Sequence, residues 1–223
     1  MPEQRSLFDV IGPVMIGPSS SHTAGAVRLG ALARAVLGSQ PTSALVELHG
    51  SFASTGRGHG TDLALTAGLL GMAPDDPRIR TAPALAESAG LHVEFREADL
   101  GEVHPNTARL TLRSADGREV VVQGSSVGGA GVILTDIDTF AVSVTGELPV
   151  MIVEHHDQPG VIAGVTAVLA AHGTNVASME VSREMRGARA LMVIETDQPV
   201  GDPVVRSVGD VAGVASVRAL PAV

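Results

Sequence analysis

The chain has 223 residues and a formal net charge of −9 at pH 7. That length suffices for one large domain or two small ones with their own cores. The acidic balance, without basic runs or interleaved aromatic residues, argues against binding to nucleic acid or to an anionic membrane surface. No apolar run approaches the roughly 20 residues of a spanning helix. The first residues lack a signal-peptide core, so we expect a cytoplasmic protein.

The chain contains no cysteine. Disulfides and a thiolate nucleophile are therefore excluded. Iron–sulfur clusters are normally held by Cys thiolates, so any cluster that this protein works with must be brought by another chain.

A polar stretch with three consecutive serines, residues 17–25, precedes the first predicted helix. Apolar residues from Ala24 to Val36 follow at close to helical spacing, so the serines stand where a helix begins. They serve there either as N-caps or, with the unpaired N–H groups of the helix start, as a site for a carboxylate or phosphate. Three serines beside a histidine exceed what a cap needs, which favours the ligand site. The candidate residues are Ser19, Ser20, Ser21, His22 and Thr23.

Helical and strand patterns alternate over residues 1–146, with helices early and antiparallel strands late, which predicts an α+β domain. Glycine-rich polar runs at residues 50–62 and 124–131 predict loops. After the first helix, the predicted elements are a strand at 45–48, a helix at 63–72, a helix ending near Ala89, and strands at 92–96, 110–113, 120–123, 132–134 and 140–144.

The second predicted unit, residues 149–223, follows a plausible hinge at residues 146–149. Its elements follow the order βαββαβ of a ferredoxin-like fold. The predicted strands are 150–153, 177–183, 190–194 and 214–219, with helices at 161–169 and from Asp202.

Three loops of the first domain contain glycine or proline and one histidine each: His22, His59 and His104. His59 is distinctive because Gly58 and Gly60 permit close approach of a ligand. A zinc site made of these three histidines is an alternative, but the close ligand pairs typical of zinc sites are missing. We therefore rank zinc below a role in proton transfer.

The motifs Ser19–Thr23, Gly58–Asp62, His104–Asn106 and Gly128–Gly129, together with residues 8–16, resemble the beta subunit of iron–sulfur-dependent L-serine dehydratase. The resemblance covers essentially the whole chain. It departs at Ala130, where the family commonly has a third glycine. The first domain of that family also resembles the allosteric substrate-binding domain of some phosphoglycerate dehydrogenases, which leaves catalysis and regulation both open for these loops.

The resemblance implies a companion alpha subunit that holds a [4Fe–4S] cluster on three cysteines. In that family, the open iron of the cluster binds the β-hydroxyl of serine, a base removes the α-proton, water leaves, and pyruvate and ammonia result. This reaction belongs to amino-acid degradation and gluconeogenesis. No metal ligands are expected in this chain itself.

Residue types suggest roles within this site. We expect His59 to be the base or proton shuttle, with His22 and His104 as further catalytic candidates. Ser19, Ser20, Ser21 and Thr23 would hold the substrate carboxylate. Further substrate-binding candidates are Asp62, Asn106, Gly128 and Gly129.

The second unit resembles an ACT domain at residues 155–162 and 173–176. In that family, amino-acid effectors bind at the loop after the first strand and at the start of the second, usually across a dimer. The resemblance implies homodimerisation through the beta and ACT domains, with L-serine or another amino acid as effector. The candidate effector residues are Asp157, Pro159, Gly160, Val161 and Asn175.

Two alternatives remain open at this level. In the first, the ACT unit is a dimerisation platform alone, since fold does not fix function and Asn175 is also an ordinary turn residue. The whole chain is alternatively a non-catalytic regulatory protein that binds a small carboxylate and an amino acid.

Overall fold

The computed structural model describes residues 14–223. The chain divides into two compact units, the first ending at Thr135 and the second running from Asp136 to Val223. Motif residues 8–13 lie outside the described part. Within that part, no helix has the length and apolar character needed to cross a membrane.

The first unit begins with the serine stretch, which forms a π-helical turn, Ser20–Gly25, that runs directly into a longer helix. Close backbone contact joins this helix to a second one, since a Cβ on Gly68 would lie 2.1 Å from the carbonyl oxygen of Val27. The helices are α1 (Ala26–Leu37), α2 (Gly50–His59), α3 (Thr61–Leu69) and α4 (Ala82–Ser88), with a 3₁₀ turn at Pro77–Thr81.

A six-stranded sheet of order β2-β1-β3-β4-β5-β6 accompanies these helices in the described residues. Strand β1 is parallel to β2 and antiparallel to β3, which in turn is antiparallel to β4. Alternate residues of β1, such as Ala44 and Val46, are fully buried, as expected where one face of a sheet packs on helices. The strands are β1 (Pro41–Leu48), β2 (His92–Glu97), β3 (Thr107–Ser114), β4 (Glu119–Gly128), β5 (Gly131–Ile137) and β6 (Phe140–Val144).

Two segments predicted as loops have regular structure. Most of residues 50–62 forms helix α2, whose C-cap, Gly60, has a left-handed conformation with φ of +70°. Strand β4 extends through the glycine-rich run as far as Gly128. Gly124 fits there because a Cβ would lie 2.7 Å from Leu29 Cδ1 and 2.8 Å from the carbonyl oxygen of Ile133.

The second unit contains an antiparallel sheet of order β10-β7-β9-β8, with two helices packed on one face. Its core is aliphatic and includes Met151, Val165, Leu169, Met192 and Ile194. The order βαββαβ confirms the predicted ferredoxin-like arrangement, and the two units together confirm the α+β class. The elements are β7 (Val150–His156), α5 (Val161–Ala171), β8 (Val176–Arg183), β9 (Arg189–Thr196), α6 (Asp202–Gly209) and β10 (Val214–Leu220).

Candidate functional site

The π-helical turn at the start of α1 presents the serines. Ser19 is its N-cap, and its Oγ accepts a hydrogen bond from the His22 backbone N–H at 3.1 Å. The Ser20 and Ser21 side chains are half-buried, without a hydrogen-bond partner among residues 14–223. The cap interpretation is therefore confirmed for Ser19, while the other two hydroxyls remain available to a ligand. π-Helical turns are frequent at functional sites.

Close packing holds this turn in place. A Cβ on Gly25 would lie 2.1 Å from Ser126 Oγ in β4, and a Cβ on Gly17 would lie 2.4 Å from Thr23 Oγ1. Thr23 is only 2% exposed, and its hydroxyl lies 3.5 Å from the His59 carbonyl oxygen. Its position suits support of the turn and of His59 more than direct contact with a ligand.

Helix α2 aligns Ser51, Thr55 and His59 on one face, because the three residues follow each other at intervals of four. His22 faces this row. Its Nε2 lies 3.2 Å from Ser51 Oγ and 3.1 Å from Thr55 Oγ1, and its ring centroid lies 4.9 Å from that of His59. The Phe52 ring meets His22 edge-on at 5.3 Å. We call His22, Ser51, Thr55 and His59 the histidine cluster.

Hydrogen bonds fix which nitrogen of His59 carries a proton when the ring is neutral. The Nδ1 of His59 lies 3.0 Å from the Thr55 carbonyl oxygen. A carbonyl oxygen only accepts, so Nδ1 carries the hydrogen and donates. The Nε2 of neutral His59 is then left with a lone pair, which is the form a general base needs.

The same argument gives His22 the opposite tautomer. Thr55 Oγ1 donates its single hydrogen to the Ser51 carbonyl oxygen at 2.8 Å. It therefore accepts from Nε2–H of His22, while Nδ1 of His22 lies 3.4 Å from Ser19 Oγ. Burial lowers the pKa of His22 and the neighbouring His59 lowers it further, whereas a backbone hydrogen bond at Ser51 raises it. His22 is thus held neutral more firmly than a free histidine.

The loop containing His104 reaches the histidine cluster through its backbone. The Pro105 carbonyl oxygen accepts from the backbone N–H of Ser51 at 2.7 Å, so this loop caps the start of α2. The His104 side chain is exposed, and its Nδ1 accepts from the Asn106 backbone N–H at 3.1 Å. The structure therefore brings His22 and His59 together, and His104 forms no described contact with either ring.

Asp62 lies in the first turn of α3, beyond the histidine cluster. It lines a cavity of about 590 Å³ between α3, α4 and β2, and a smaller one of about 160 Å³ beside Phe52 and Gly56. Neither cavity is lined by His22 or His59. Asp62 thus lies near the candidate site without a described contact to its histidines.

The turn between β4 and β5 contains Gly128, Gly129 and Ala130, all with positive φ. The Ala130 carbonyl oxygen accepts from Arg28 Nη1 of α1 at 2.8 Å. A left-handed conformation costs a residue other than glycine roughly 1–2 kcal/mol. Complete burial of the methyl group recovers about 0.8 kcal/mol of this cost. Burial therefore offsets a large part of the backbone strain of alanine at this position.

The candidate effector residues already have partners within the second unit. The Asp157 carboxylate accepts from the Gly187 backbone N–H and from Arg183 Nη1, both at 3.0 Å, and these two donors hold its pKa below the usual value. Asn175 Nδ2 donates to Asp197 at 2.6 Å. Gly160, with φ of +96°, is the N-cap of α5, and a Cβ there would have no neighbour within 4 Å.

Two neighbours of Gly160 differ in exposure. Pro159 is exposed, whereas Val161 is buried in the core of the second unit. An effector at this turn would therefore contact backbone groups more than the Val161 side chain.

Sequence reasoning missed Ser51 and Thr55. The glycines of residues 50–62 predicted a loop, which hid the interval of four that joins both residues to His59 on one helix face. That interval was the available signal.

Comparison with known proteins gives two family matches. The chain matches the family described as Serine dehydratase beta chain over residues 6–138, and the ACT domain family over residues 150–213.

Individual relatives agree with these matches. The chain is 48% identical to the Probable L-serine dehydratase, beta chain, of Bacillus subtilis (strain 168), over 89% of this chain and 90% of that protein. It is 38% identical to the L-serine dehydratase, beta chain, of Peptoniphilus asaccharolyticus, over 87% and 88%. Similarity to L-serine dehydratase 2 of Escherichia coli (strain K12) is 32%, over 57% of this chain and 33% of that protein.

Proposed function

The chain belongs to the serine dehydratase beta chain family and carries an ACT domain, and from this premise we propose that it is the beta subunit of an L-serine ammonia-lyase. It acts with an alpha subunit to convert L-serine to pyruvate and ammonia. The observation that carries the proposal within the site is the free Nε2 of His59 beside a second, neutral histidine.

Two features of the relatives support the alpha subunit. Two of the relatives matched over most of their length are named as beta chains, which implies at least one other chain. The match to L-serine dehydratase 2 occupies 33% of that protein, which leaves the larger part of it for functions outside this region.

An iron–sulfur cluster does not fit on this chain. The sequence has no cysteine, and within residues 14–223 no three His, Asp or Glu side chains come together as metal ligands. We therefore assign the [4Fe–4S] cluster to the alpha subunit, while residues of this chain bind the substrate and accept its proton.

His59 removes the α-proton of serine in this proposal. The hydrogen bond from Nδ1 to the Thr55 carbonyl oxygen orients the ring and leaves Nε2 to take the proton. Gly58 has no neighbour within 4 Å of a Cβ position, so there is room for substrate beside His59. The adjacent His22 stays neutral and so adds no positive charge beside His59. Its ring also orients Ser51 and Thr55.

The serine turn holds the substrate carboxylate. Ser20 and Ser21 provide the free hydroxyls, while Ser19 and Thr23 support the turn as its cap and its buried anchor. Charge-assisted hydrogen bonds to a carboxylate are worth roughly 1.5–3 kcal/mol each.

The remaining candidates complete the surroundings of the site in this proposal. The loop of His104 and Asn106 fixes the start of α2, the turn of Gly128 and Gly129 leaves open space for substrate at Gly128, and Asp62 lies in the first turn of α3.

The ACT domain binds an amino acid, with L-serine as the first candidate. The left-handed Gly160 and the start of α5 offer backbone N–H groups to the carboxylate of the effector. Asp157 or Asn175 would receive the ammonium group by exchanging its present partner. The cytoplasmic location expected from the sequence stays a prediction.

Anaerobic co-expression with the alpha subunit tests the lyase proposal. Pyruvate should form from L-serine with the two chains together and with neither chain alone, and the isolated chain should be colourless. Pyruvate formation by the isolated, cluster-free chain would contradict the proposal. If the reconstituted pair binds serine and forms no pyruvate, the chain is a regulatory protein instead.

A further inference from the structure

Strand β2 (His92–Glu97) is an edge of the first sheet. One side pairs with β1, and the other side has no strand partner among residues 14–223. Such an edge presents unpaired backbone N–H and C=O groups, which are a template for another strand. The edge therefore needs an occupant or a protective feature.

A partly apolar groove lies beside this edge. The cavity of about 590 Å³ is lined by Val93 and Phe95 of β2 and by apolar residues near α4 such as Pro83, Ala86 and Leu91. Both β2 side chains are half-buried, so part of their apolar surface faces water. A second strand on the edge would cover that surface.

The other face of β2 carries the exposed side chains His92, Glu94 and Arg96. Arg96 Nε lies 2.8 Å from Glu94 Oε1, in an ion pair whose two side chains are about half exposed. An exposed ion pair of this kind contributes little to stability. Both residues are therefore free to exchange partners at little cost.

We propose that β2 pairs antiparallel with β2 of a second copy of this chain, about a two-fold axis that passes through Phe95. Each residue then lies opposite the residue of the second copy that is equally far from Phe95 on its other side. Phe95 lies opposite Phe95 over the two grooves, and Glu94 lies opposite Arg96 twice. The edge is thus self-complementary, as a two-fold interface requires. This proposal is independent of the reaction assigned above.

Charge favours this register over the registers in which the two-fold axis passes through another residue of β2. A two-fold axis at Glu94 would place two carboxylates opposite each other, and an axis at Arg96 would place two guanidinium groups opposite each other. Like charges in directly opposite positions destabilise a strand pair. An axis at Val93 would place Phe95 opposite Leu91 and lose both Glu94–Arg96 pairs.

Engineered disulfides test the register, because the chain has no cysteine of its own. Opposite Cα atoms in antiparallel strands lie about 4.5–5.5 Å apart, which is within the reach of a disulfide. Phe95→Cys should therefore yield a covalent dimer upon mild oxidation of the full chain. Val93→Cys is the matched control, since its two copies would lie roughly 13 Å apart along the strands.

The result is read on a non-reducing gel at low protein concentration. The proposal predicts a dimer band for Phe95→Cys and no dimer band for Val93→Cys. A band for Val93→Cys alone would contradict the register. If Phe95→Cys forms no more dimer than Glu102→Cys, which lies in an exposed loop, the edge is not a self-interface and the groove serves another occupant.

Two further sets of variants test the Glu94–Arg96 pairing itself. Glu94→Cys combined with Arg96→Cys leaves Phe95 intact and should also cross-link, whereas Glu94→Cys alone should not. In the Phe95→Cys background, Glu94→Arg should abolish cross-linking and a further Arg96→Glu should restore it. Failure of the reversed pair to restore cross-linking would overturn the proposal.

Discussion

The two histidines of the cluster have different tautomers, although their ring centroids are only 4.9 Å apart. Each tautomer is set by a partner that is not a histidine: the Thr55 carbonyl oxygen for His59, and the Thr55 hydroxyl for His22. Thr55 thus gives one ring a free Nε2 and the other a protonated Nε2. Thr55, one helical turn before His59 in α2, therefore leaves His59 with the lone pair that a base needs.

The lowered pKa of His22 predicts a pH dependence of stability. The unfolded chain binds a proton at the ordinary histidine pKa, whereas the folded chain binds it only at lower pH. The contribution of His22 to the free energy of unfolding is therefore fully present above the unfolded pKa and is lost as the pH falls towards the folded pKa. Urea unfolding measures this between about pH 5 and pH 7.5. As the pH falls, the free energy of unfolding should decrease less for His22→Gln than for the parent. If the free energy of unfolding changes equally with pH in the two proteins, His22 titrates normally.

At Gly58 we expect a substitution to raise stability and lower activity. It lies inside α2 with negative φ and no neighbour near its Cβ position, so the fold does not require glycine there. Gly58→Ala should stabilise the isolated chain by about 0.5–1 kcal/mol, because alanine is the better helix former. The new methyl group beside His59 should lower kcat/KM for serine in the reconstituted enzyme. Unchanged kinetics in a stabilised variant would mean that substrate does not approach on this side.

Among the elements, those with clear hydrophobic periodicity were predictable from the sequence. Helices α1 and α3, strands β1 to β3 and the whole order of the second unit follow from it. Helix α2 did not, because its glycines weaken helix propensity and tertiary contacts decide the outcome. One such contact is the cap from the Pro105 carbonyl oxygen to Ser51, which joins residues far apart in sequence. The end of β4 was missed for a similar reason, since Gly124 reflects crowding by Leu29 and Ile133 rather than a loop.

The candidate site was predictable in part. His22 and His59 were singled out from separate motifs, and the structure brings them together. The sequence offered no way to tell that the His104 side chain turns to its own loop, because that depends on a hydrogen bond with Asn106. Whether Ser20 and Ser21 bind a carboxylate stays a prediction.

At the scale of the whole molecule, two units were predicted, and the chain divides into two. The division lies within β5, while the family matches end at residue 138 and resume at residue 150. The proposed hinge at residues 146–149 stays a prediction. A two-unit chain without cysteine suits a subunit that positions substrate and responds to an effector, while another chain supplies the cluster.

The ACT unit predicts stabilisation by a free amino acid. L-Serine at 100 times its Kd should add about 2.7 kcal/mol to the free energy of unfolding, because it binds only the folded state. Thermal unfolding of the full chain with and without L-serine measures this shift. Asp157→Asn should weaken it, whereas Asp210→Asn, at the end of α6, serves as the control. If no amino acid shifts the unfolding transition, the unit is a dimerisation platform only.

The central claim is that this chain supplies the base for dehydration of serine, and the turnover of His59→Ala tests it most directly. The variant is co-expressed with the alpha subunit and compared with His172→Ala, which removes an exposed histidine at the end of α5. Loss of a general base predicts a fall in kcat of about 10²-fold or more, with cluster content and thermal stability unchanged and with normal turnover in the control. A His59→Ala enzyme with near-normal kcat would contradict the account and transfer the base to another residue.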